Sequence, residues 1–260
     1  MPELEADLQL LVEAAEAAGQ IAKRYFKQAP QIWDKGGDAG PVTEADLAID
    51  RMLKAELTAA RPDHGWLSEE TEDTDARLKA DRVFIVDPID GTRAFIEGQS
   101  AFAHSLAIVE NGVAVAGVVY LPAQDKMFAA ASGQGATLNS EPILASRIAD
   151  DDGATMLTTK PNLAPGHWPG GVPRIARAYR PSLAYRMALV GTGRFDGMMT
   201  LRPTWEWDIA AGAVIAAEAG ARVTDGAGQA LRLNNPAPQV DGVIAAGAGL
   251  HANLMTRRAA

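Results

Sequence analysis

The run Asp87-Pro88-Ile89-Asp90-Gly91-Thr92 constrains the fold more than any other part of the chain. It follows directly on the apolar residues 83–86, which are typical of a buried strand. Proline fixes its own φ and disfavours helical geometry at the residue before it, so the strand is expected to deliver Asp87 to a sheet edge. The run therefore predicts a strand, a turn and a helix start, with two carboxylates at the junction.

Two interpretations of this junction are open. Gly91 lets the backbone approach a ligand closely, and the amide groups of Gly91, Thr92 and Arg93 would face outward at a helix N-terminus, which favours an anion. Beside two hard oxygen donors, such a site indicates Mg²⁺ holding a phosphate. The alternative is a strand, a turn and an aspartate N-cap, which requires no ligand.

Further acidic residues stand at comparable positions elsewhere in the chain. Glu69 and Glu70 follow a short apolar stretch, and Asp208 precedes a strongly apolar predicted helix. Asp46 completes a Thr-x-x-acid pattern that begins at Thr43. Each has a structural alternative: a solvated surface pair for the glutamates, a helix cap for Asp208 and a capping box for Asp46.

In this order along the chain, the motifs resemble those of the inositol monophosphatase family of Mg²⁺-dependent, lithium-sensitive phosphomonoesterases. The resemblance covers residues 14–254, nearly the whole chain. It implies a mixed α/β fold, a layered αβαβα sandwich of the inositol monophosphatase/fructose-1,6-bisphosphatase type. We expect one unit over residues 1–260, with two subdomains at about 1–145 and 146–260.

The resemblance also implies a site for two or three Mg²⁺ ions. Glu69, Asp87 and the backbone carbonyl oxygen of Ile89 would hold the first ion. Asp87, Asp90 and Asp208 would hold the second, with Asp87 shared between the two. Carboxylates suit Mg²⁺ because it is a hard cation that prefers oxygen ligands, and paired metals can clamp the attacking and leaving oxygens of a phosphate displacement.

The same resemblance assigns catalytic roles around the metals. Asp46 and Thr92 would together orient the attacking water, and Glu70 would lie near a third, weaker ion and its waters. Lys35 precedes the Thr-x-x-Asp pattern and is a candidate for contact with the phosphate or with the third ion. A solvated loop lysine is the alternative for Lys35.

Substrate contacts are expected from Gly91, Thr92, Arg93, Lys35 and Glu206. The box at residues 203–208, in which Glu206 lies, looks most like the Pro-Thr-x-Glu-Trp-Asp of 3′(2′),5′-bisphosphate nucleotidases. A guanidinium can bind a second phosphate through two hydrogen bonds, although a surface salt bridge is the alternative for Arg93.

The first expected substrate is therefore adenosine 3′,5′-bisphosphate, with inositol 1-phosphate and histidinol phosphate as alternatives. A hypothesis of another class is a non-catalytic relative that binds a metal or a phosphorylated metabolite without turnover.

The amino-acid composition argues against some classes of binding partner. Asp and Glu number 33 against 24 Lys and Arg, and the net charge of −9 argues against binding a nucleic acid polymer or an anionic membrane surface. No stretch approaches the roughly 20 apolar residues of a membrane helix, so the cytoplasm is the expected location. The chain has no Cys, and its four His show no metal-ligand spacing, with His104 expected in a strand. A small phosphorylated metabolite is the expected partner, and a homodimer is a further expectation from the family.

Apolar periodicity predicts an N-terminal helix that ends before Pro30 and a second helix over 43–60, separated by a loop or mobile hairpin at 31–41. Asn111-Gly112 is a strong hairpin signal between two strands. In the second half, the pattern predicts helices over 183–190, 209–219 and 249–258 and strands over 154–158, 194–199, 221–224 and 243–246.

Overall fold

The computed structural model describes residues 2–36 and 40–259. The helices within these ranges are α1 Pro2–Tyr25, α2 Glu44–Ala60, α3 Thr92–Ile96, α4 Leu183–Gly191, α5 Ala210–Glu218 and α6 Ala248–Ala259. Two short strands, β1 Ile32–Asp34 and β2 Pro41–Thr43, pair antiparallel between α1 and α2. Of the loop or mobile hairpin predicted over 31–41, the structure shows a hairpin, and residues 37–39 of this segment lie outside the described residues.

A seven-stranded sheet occupies the first half of the chain. Its strands lie in sequence order, and only the first pair is parallel. They are β3 Gly65–Ser68, β4 Arg82–Asp90, β5 Ala103–Glu110, β6 Val113–Leu121, β7 Lys126–Ala131, β8 Ala136–Leu138 and β9 Glu141–Ile143. The hairpin predicted at Asn111-Gly112 joins β5 to β6, and both residues have positive φ, of 51° and 81°.

A five-stranded sheet occupies the second half. Its strands are β10 Thr155–Leu157, β11 Ala176–Ala178, β12 Gly197–Trp205, β13 Ala221–Asp225 and β14 Gln239–Gly247, in the spatial order β11-β10-β12-β14-β13. The two sheets thus use different parts of the chain, and the division into subdomains near residue 145 stays a prediction.

The helices and sheets alternate in five layers. Helices α1 and α2 cover one face of the seven-stranded sheet, α4 and α5 lie between the two sheets, and α6 covers the outer face of the five-stranded sheet. Each sheet face that would otherwise meet water is thereby buried against a helix. The predicted αβαβα sandwich is confirmed.

The middle layer fixes the helix that follows Asp208. Residues 210–216 of α5 are apolar and buried on all sides of the helix, as expected for a helix between two sheets, and α5 approaches its neighbours closely. A Cβ atom on Gly212 of α5 would lie 2.5 Å from Cβ of Met187, and one on Gly117 of β6 would lie 2.6 Å from Cγ1 of Val214. Only glycine permits this packing, which sets the position of the N-terminus of α5.

Two strands run further than expected. The strand predicted over 194–199 extends as β12 from Gly197 to Trp205, because a register shift between Thr200 and Pro203 accommodates the proline. Likewise β4 continues through Pro88 to Asp90 across an irregularity. No helix among the described residues combines the length and the apolar character needed to cross a membrane.

Candidate active site

A bulge in β4 places two carboxylates on the same face of the sheet. Asp87 pairs with Ser105 of β5 and Asp90 pairs with Ala103, so three steps along β4 match two steps along β5. Residues two apart on a regular strand share a face, whereas residues three apart do not. The extra residue therefore turns Asp90 to the side that Asp87 already occupies.

Asp208 joins these two carboxylates from the other half of the chain. Oxygen atoms of Asp87, Asp90 and Asp208 all lie within 4.8 Å of one another. The N-cap of α5 is Ile209, without a side-chain hydrogen bond, so the helix-cap alternative for Asp208 does not hold. The aspartate-cap alternative for Asp90 also does not hold, because the N-cap of α3 is Gly91, in the left-handed conformation at φ 95°.

Helix α4 holds Asp90 in place. Oδ2 of Asp90 accepts hydrogen bonds from Oγ of Ser182 and from the backbone amide of Ala184, both at 2.6 Å. Ser182 is also the N-cap of α4, where its Oγ accepts from the amide of Tyr185 at 3.0 Å. One serine hydroxyl thus caps the helix and orients a carboxylate of the site.

Asp46 combines its structural role with a place in the site. Its Oδ2 accepts from the amide of Thr43 at 2.9 Å and lies 2.5 Å from the Thr43 hydroxyl, which completes the capping box of α2. Its other oxygen, Oδ1, lies 3.3 Å from Oγ1 of Thr92, and that hydroxyl is also 3.0 Å from the carbonyl oxygen of Ile89. The capping box and the predicted pairing of Asp46 with Thr92 therefore coexist.

Glu69 and Glu70 are not a solvated pair. Nζ of Lys35 lies 2.8 Å from Oε1 of Glu69 and 2.6 Å from Oε1 of Glu70, and the Glu70 side chain is only 3% exposed. Lys35 enters the site from the residue just beyond β1. The solvated-loop alternative for Lys35 is thereby wrong, since its ammonium contacts two acids of the site.

A buried aspartate supports the loop that carries these glutamates. Asp50 accepts hydrogen bonds from Oγ of Ser68 at 2.5 Å and from Oγ1 of Thr71 at 2.7 Å, on either side of the pair. Asp50 lies one helical turn after Asp46 on α2. Sequence reasoning missed this supporting residue, and its one-turn spacing from Asp46 is the signal that places both acids on the same face of the helix.

Burial and mutual repulsion make the central acids reluctant to ionise. Burial is the largest cause of the raised pKa of Asp87 and of Asp208, and the neighbouring Glu69 and Asp90 add to it in both cases. Burial also raises the pKa of Asp90 to about 6, although its bonds to Ser182 and Ala184 oppose the shift. Positive charge placed among these groups would reverse the effect.

Burial and neighbouring charges also shift the pKa values of the surrounding groups. Burial raises the pKa of Asp46 to about 6 and that of Glu70 to about 7, with repulsion from Glu69 as a further cause in each case. Burial alone would lower the pKa of Lys35, but attraction and hydrogen bonding by Glu69 and Glu70 outweigh it, and the Lys35 pKa is raised.

The donor set fits a divalent cation. Oδ1 of Asp87 is buried and has no hydrogen-bond partner among the described residues. A buried carboxylate oxygen without a partner is costly unless a cation binds it. Oxygen ligands alone, clustered and acidic, are the ligands that Mg²⁺ prefers.

A cavity of about 340 Å³ opens over this cluster. It brings together most of the predicted metal-binding and substrate-binding residues and adds three that the sequence analysis did not single out. The lining residues are Lys35, Glu69, Asp87, Ile89, Asp90, Gly91, Thr92, Arg202, Trp205, Trp207 and Asp208. The added residues, Arg202, Trp205 and Trp207, all come from β12 and the turn after it, within or beside the Pro-Thr-x-Glu-Trp-Asp box.

Two predicted substrate contacts lie elsewhere. Glu206 is fully buried, and its carboxylate accepts hydrogen bonds from the amides of Asn234 and Asn235 at 2.6 and 2.9 Å. For Glu206 the structure indicates a structural role in place of the predicted substrate contact, because its alternation with Trp205 and Trp207 turns it to the opposite side. Arg93 is exposed beside the hairpin residue Gly40 and is not among the cavity-lining residues.

Comparison with known proteins agrees with this geometry. Residues 3–260 match the inositol monophosphatase family. The inositol-1-monophosphatase of Rhizobium meliloti (strain 1021) is 36% identical over 233 residues, which are 85% of this chain and 86% of that protein. The histidinol-phosphatase of Chlorobaculum parvum is 36% identical over 155 residues, 59% of each chain.

Solved structures show the same fold. The inositol monophosphatase of Thermotoga maritima superimposes with a TM-score of 0.81 at 31% sequence identity, over 100% of this chain and 97% of that chain. The likeness therefore extends over both sheets and all five layers.

Proposed function

The chain belongs to the inositol monophosphatase family, whose members are phosphatases of phosphoric monoesters, and we propose that it hydrolyses a small phosphorylated metabolite with two or three Mg²⁺ ions. Adenosine 3′,5′-bisphosphate is the first proposed substrate. Inositol 1-phosphate and histidinol phosphate are the alternatives, in keeping with the names of the relatives.

One observation carries the proposal of metal-dependent chemistry. Asp87, Asp90 and Asp208 converge within 4.8 Å at the floor of a cavity, and Asp87 keeps a buried oxygen without a hydrogen-bond partner among the described residues. Three converging buried carboxylates destabilise the folded protein, because their mutual repulsion and their desolvation both cost free energy. The arrangement is explained by a cation that binds them.

We propose the following ligands. Glu69, Asp87 and the carbonyl oxygen of Ile89 would hold one ion, and Asp87, Asp90 and Asp208 would hold a second. Divalent cations at these positions supply the positive charge that screens a phosphate dianion and eases the deprotonation of a water molecule. A third ion would be held by Glu70, in the place that the ammonium of Lys35 occupies.

The protein's own groups then position the reactants. Oγ1 of Thr92 would orient the attacking water and accept its proton while passing its own hydroxyl proton to Oδ1 of Asp46, so that the Asp46 carboxylate is the final acceptor. Gly91 and Thr92 are lining residues of the cavity, and their backbone amide groups would donate hydrogen bonds to the phosphate. Lys35 contributes a further positive charge to the phosphate when its contact with the glutamates is exchanged.

The proposal is tested by phosphate release from purified protein. Adenosine 3′,5′-bisphosphate, inositol 1-phosphate, histidinol phosphate and fructose 1,6-bisphosphate are compared with Mg²⁺, with EDTA, and with Mg²⁺ plus Li⁺. We expect turnover that requires Mg²⁺, is inhibited by Li⁺ and is highest with adenosine 3′,5′-bisphosphate. If turnover is instead highest with inositol 1-phosphate or histidinol phosphate, that compound becomes the proposed substrate, and the proposed Mg²⁺-dependent hydrolysis stands.

Asp208→Asn and Asp63→Asn form a matched pair for this assay. Both exchange one carboxylate for an amide, but Asp63 is exposed and is not among the cavity-lining residues. We expect Asp208→Asn to lose turnover and Asp63→Asn to keep it. Absence of Mg²⁺-dependent phosphate release from every substrate, with Mg²⁺ still bound, would favour the non-catalytic hypothesis.

A further inference from the structure

The segment 202–207 forms a wall of the cavity with a chemistry unlike that of its acidic floor. Three of its side chains line the cavity, one guanidinium and two indoles, belonging to Arg202, Trp205 and Trp207. None of them belongs to the predicted metal site. Their place in the lining therefore calls for a partner other than the metal ions.

Arg202 offers positive charge above the metal site. It lies just after Thr200, in the part of β12 where the register shifts, and its side chain is exposed. Lys35 is the other cationic residue in the lining, and its ammonium is held by Glu69 and Glu70. Within residues 2–36 and 40–259, Arg202 takes part in none of the ion pairs, although its charge acts on nearby Asp208, so its guanidinium can contact an anionic group of a ligand.

The two tryptophans offer a flat apolar surface beside that charge. Their rings stack in parallel, with centroids 4.7 Å apart and an interplanar angle of 8°. Trp207 is buried, whereas Trp205 is 39% exposed although it is a large apolar side chain. An exposed indole supported from behind by a second indole is a rigid surface for stacking a planar ring.

We propose that Arg202 binds a second phosphate of the substrate and that Trp205, backed by Trp207, stacks on its base, so that this wall selects bisphosphorylated nucleosides. The inference rests on the proposed phosphatase function and names the residues behind its substrate preference. It moves the second-phosphate contact from Arg93 on α3 to Arg202 on β12.

The same wall disfavours the alternative substrates. Inositol 1-phosphate has no planar ring and no second phosphate, so Trp205 would gain no stacking contact and Arg202 would gain no contact with a second anionic group. Histidinol phosphate has a planar imidazole ring for Trp205 but no second phosphate for Arg202, and the guanidinium would repel its ammonium group if that group faced this wall. Fructose 1,6-bisphosphate has two phosphates without a planar ring and would use Arg202 alone.

Four ligands distinguish the contribution of the Arg202 contact from that of the Trp205 contact. Adenosine 3′,5′-bisphosphate has two phosphates and a base, adenosine 3′-monophosphate has one phosphate and the base, fructose 1,6-bisphosphate has two phosphates alone, and inositol 1-phosphate has one phosphate alone. Binding is measured by calorimetry with Ca²⁺ in place of Mg²⁺ to suppress turnover, and kcat/KM is measured with Mg²⁺. Arg202→Ala and Trp205→Ala are compared with Arg177→Ala, an exposed arginine on the edge strand β11.

We expect Arg202→Ala to lower the affinity and kcat/KM for both bisphosphates by about 10-fold to 100-fold, as for the loss of one charged hydrogen bond. The same values for both monophosphates should fall by less than about 3-fold. Arg202→Lys is expected to restore part of that loss. Trp205→Ala should weaken both adenosine ligands by about 5-fold or more and spare the other two, whereas Trp205→Phe should keep most of the affinity. Arg177→Ala should match the wild type.

The outcomes distinguish the inference from the function on which it rests. Equal losses on all four ligands, or a selective loss with Arg93→Ala but not with Arg202→Ala, would overturn the assignment of the wall. The assignment of the wall would also be overturned if the wild-type protein bound adenosine 3′,5′-bisphosphate no more tightly than adenosine 3′-monophosphate. If that protein still hydrolysed inositol 1-phosphate, the proposed phosphatase function would stand. If no ligand is hydrolysed, the calorimetric comparison still decides whether Arg202 recognises the second phosphate.

Discussion

Ser105 donates a hydrogen bond from its Oγ to the backbone carbonyl oxygen of Trp207, 2.9 Å away. Ser105 lies opposite Asp87 in the seven-stranded sheet, and Trp207 immediately precedes Asp208. This buried contact therefore links two metal-binding candidates that come from different halves of the chain. It fixes how closely their carboxylates approach.

Ser105→Ala is expected to weaken Mg²⁺ binding and turnover. The carbonyl oxygen of Trp207 would stay buried without its donor, at a cost of about 1–3 kcal/mol, and Asp208 would lose its restraint relative to Asp87. Urea unfolding measures the cost, and calorimetric titration measures the Mg²⁺ affinity. The exposed Ser100→Ala serves as control, and a Ser105→Ala protein with the affinity and stability of the wild type would show that this contact is dispensable.

Asp87→Asn is expected to abolish turnover while the fold survives. Asp87 is proposed to contact both ions, and an amide lacks the charge that binds them. In EDTA the variant should unfold at a temperature no lower than that of the wild type, because the substitution removes a buried charge that repels Glu69 and Asp90. Phosphate release and thermal unfolding are the two measurements. Mg²⁺-responsive activity of Asp87→Asn would contradict the assigned metal site.

Stability without divalent cations should fall as the pH rises from about 4 to about 8. The pKa values of Asp46 and Asp90, about 6, and of Glu70, about 7, lie above their ordinary values of 3.8 and 4.5. The native protein therefore binds more protons than the unfolded chain in this range, and that contribution to stability is lost as the pH passes the folded-state pKa values.

Mg²⁺ should reverse this loss by binding the ionised form. At 100 times its dissociation constant, a ligand of the native state adds about 2.7 kcal/mol to the free energy of unfolding. We expect the Tm increase caused by Mg²⁺ to be larger at about pH 8 than at about pH 5.5, as measured by calorimetry. An equal increase at both pH values, or none, would contradict a cluster of cation-binding carboxylates with raised pKa.

His104 is expected to support activity indirectly, through its hydrogen bond to the backbone at the bulge of β4. It is fully buried, its Nδ1 faces the carbonyl oxygen of Pro88, and burial lowers its pKa to about 4, so the ring is neutral near neutral pH. A carbonyl accepts only, so Nδ1 donates. His104→Asn keeps a donor at a similar place and should retain most activity, whereas His104→Leu should lower kcat by about 10-fold through the unpaired carbonyl.

The pH profile provides the control for this pair. Because the ring is neutral, neither His104 variant should shift the dependence of kcat on pH between about 6 and 9. A shifted profile would indicate that His104 exchanges protons in the reaction. Equal activities of His104→Asn and His104→Leu would show that the Pro88 carbonyl does not depend on this donor.

The helices and strands were largely predictable because their patterns are local. The capping box at Thr43 and Asp46, the turn at Asn111-Gly112 and the apolar strand before Asp87 each depend on neighbours within a few residues. Boundaries at Pro88 and Pro203 were predicted less well, because a strand continues through a proline only where the partner strand permits a bulge.

The sequence by itself predicted the acids of the proposed site, at positions 46, 69, 70, 87, 90 and 208, because their residue types and their order along the chain resemble the motifs of one family. Only the tertiary structure decided which side each group faces. The bulge turns Asp90 to the side of Asp87, the alternation in the 205–207 segment buries Glu206 while Trp205 and Trp207 face the cavity, and the register shift in β12 brings Arg202 rather than Arg93 into its wall. A one-residue change of register reverses the direction of a side chain, and register is set by pairing between distant segments of the chain.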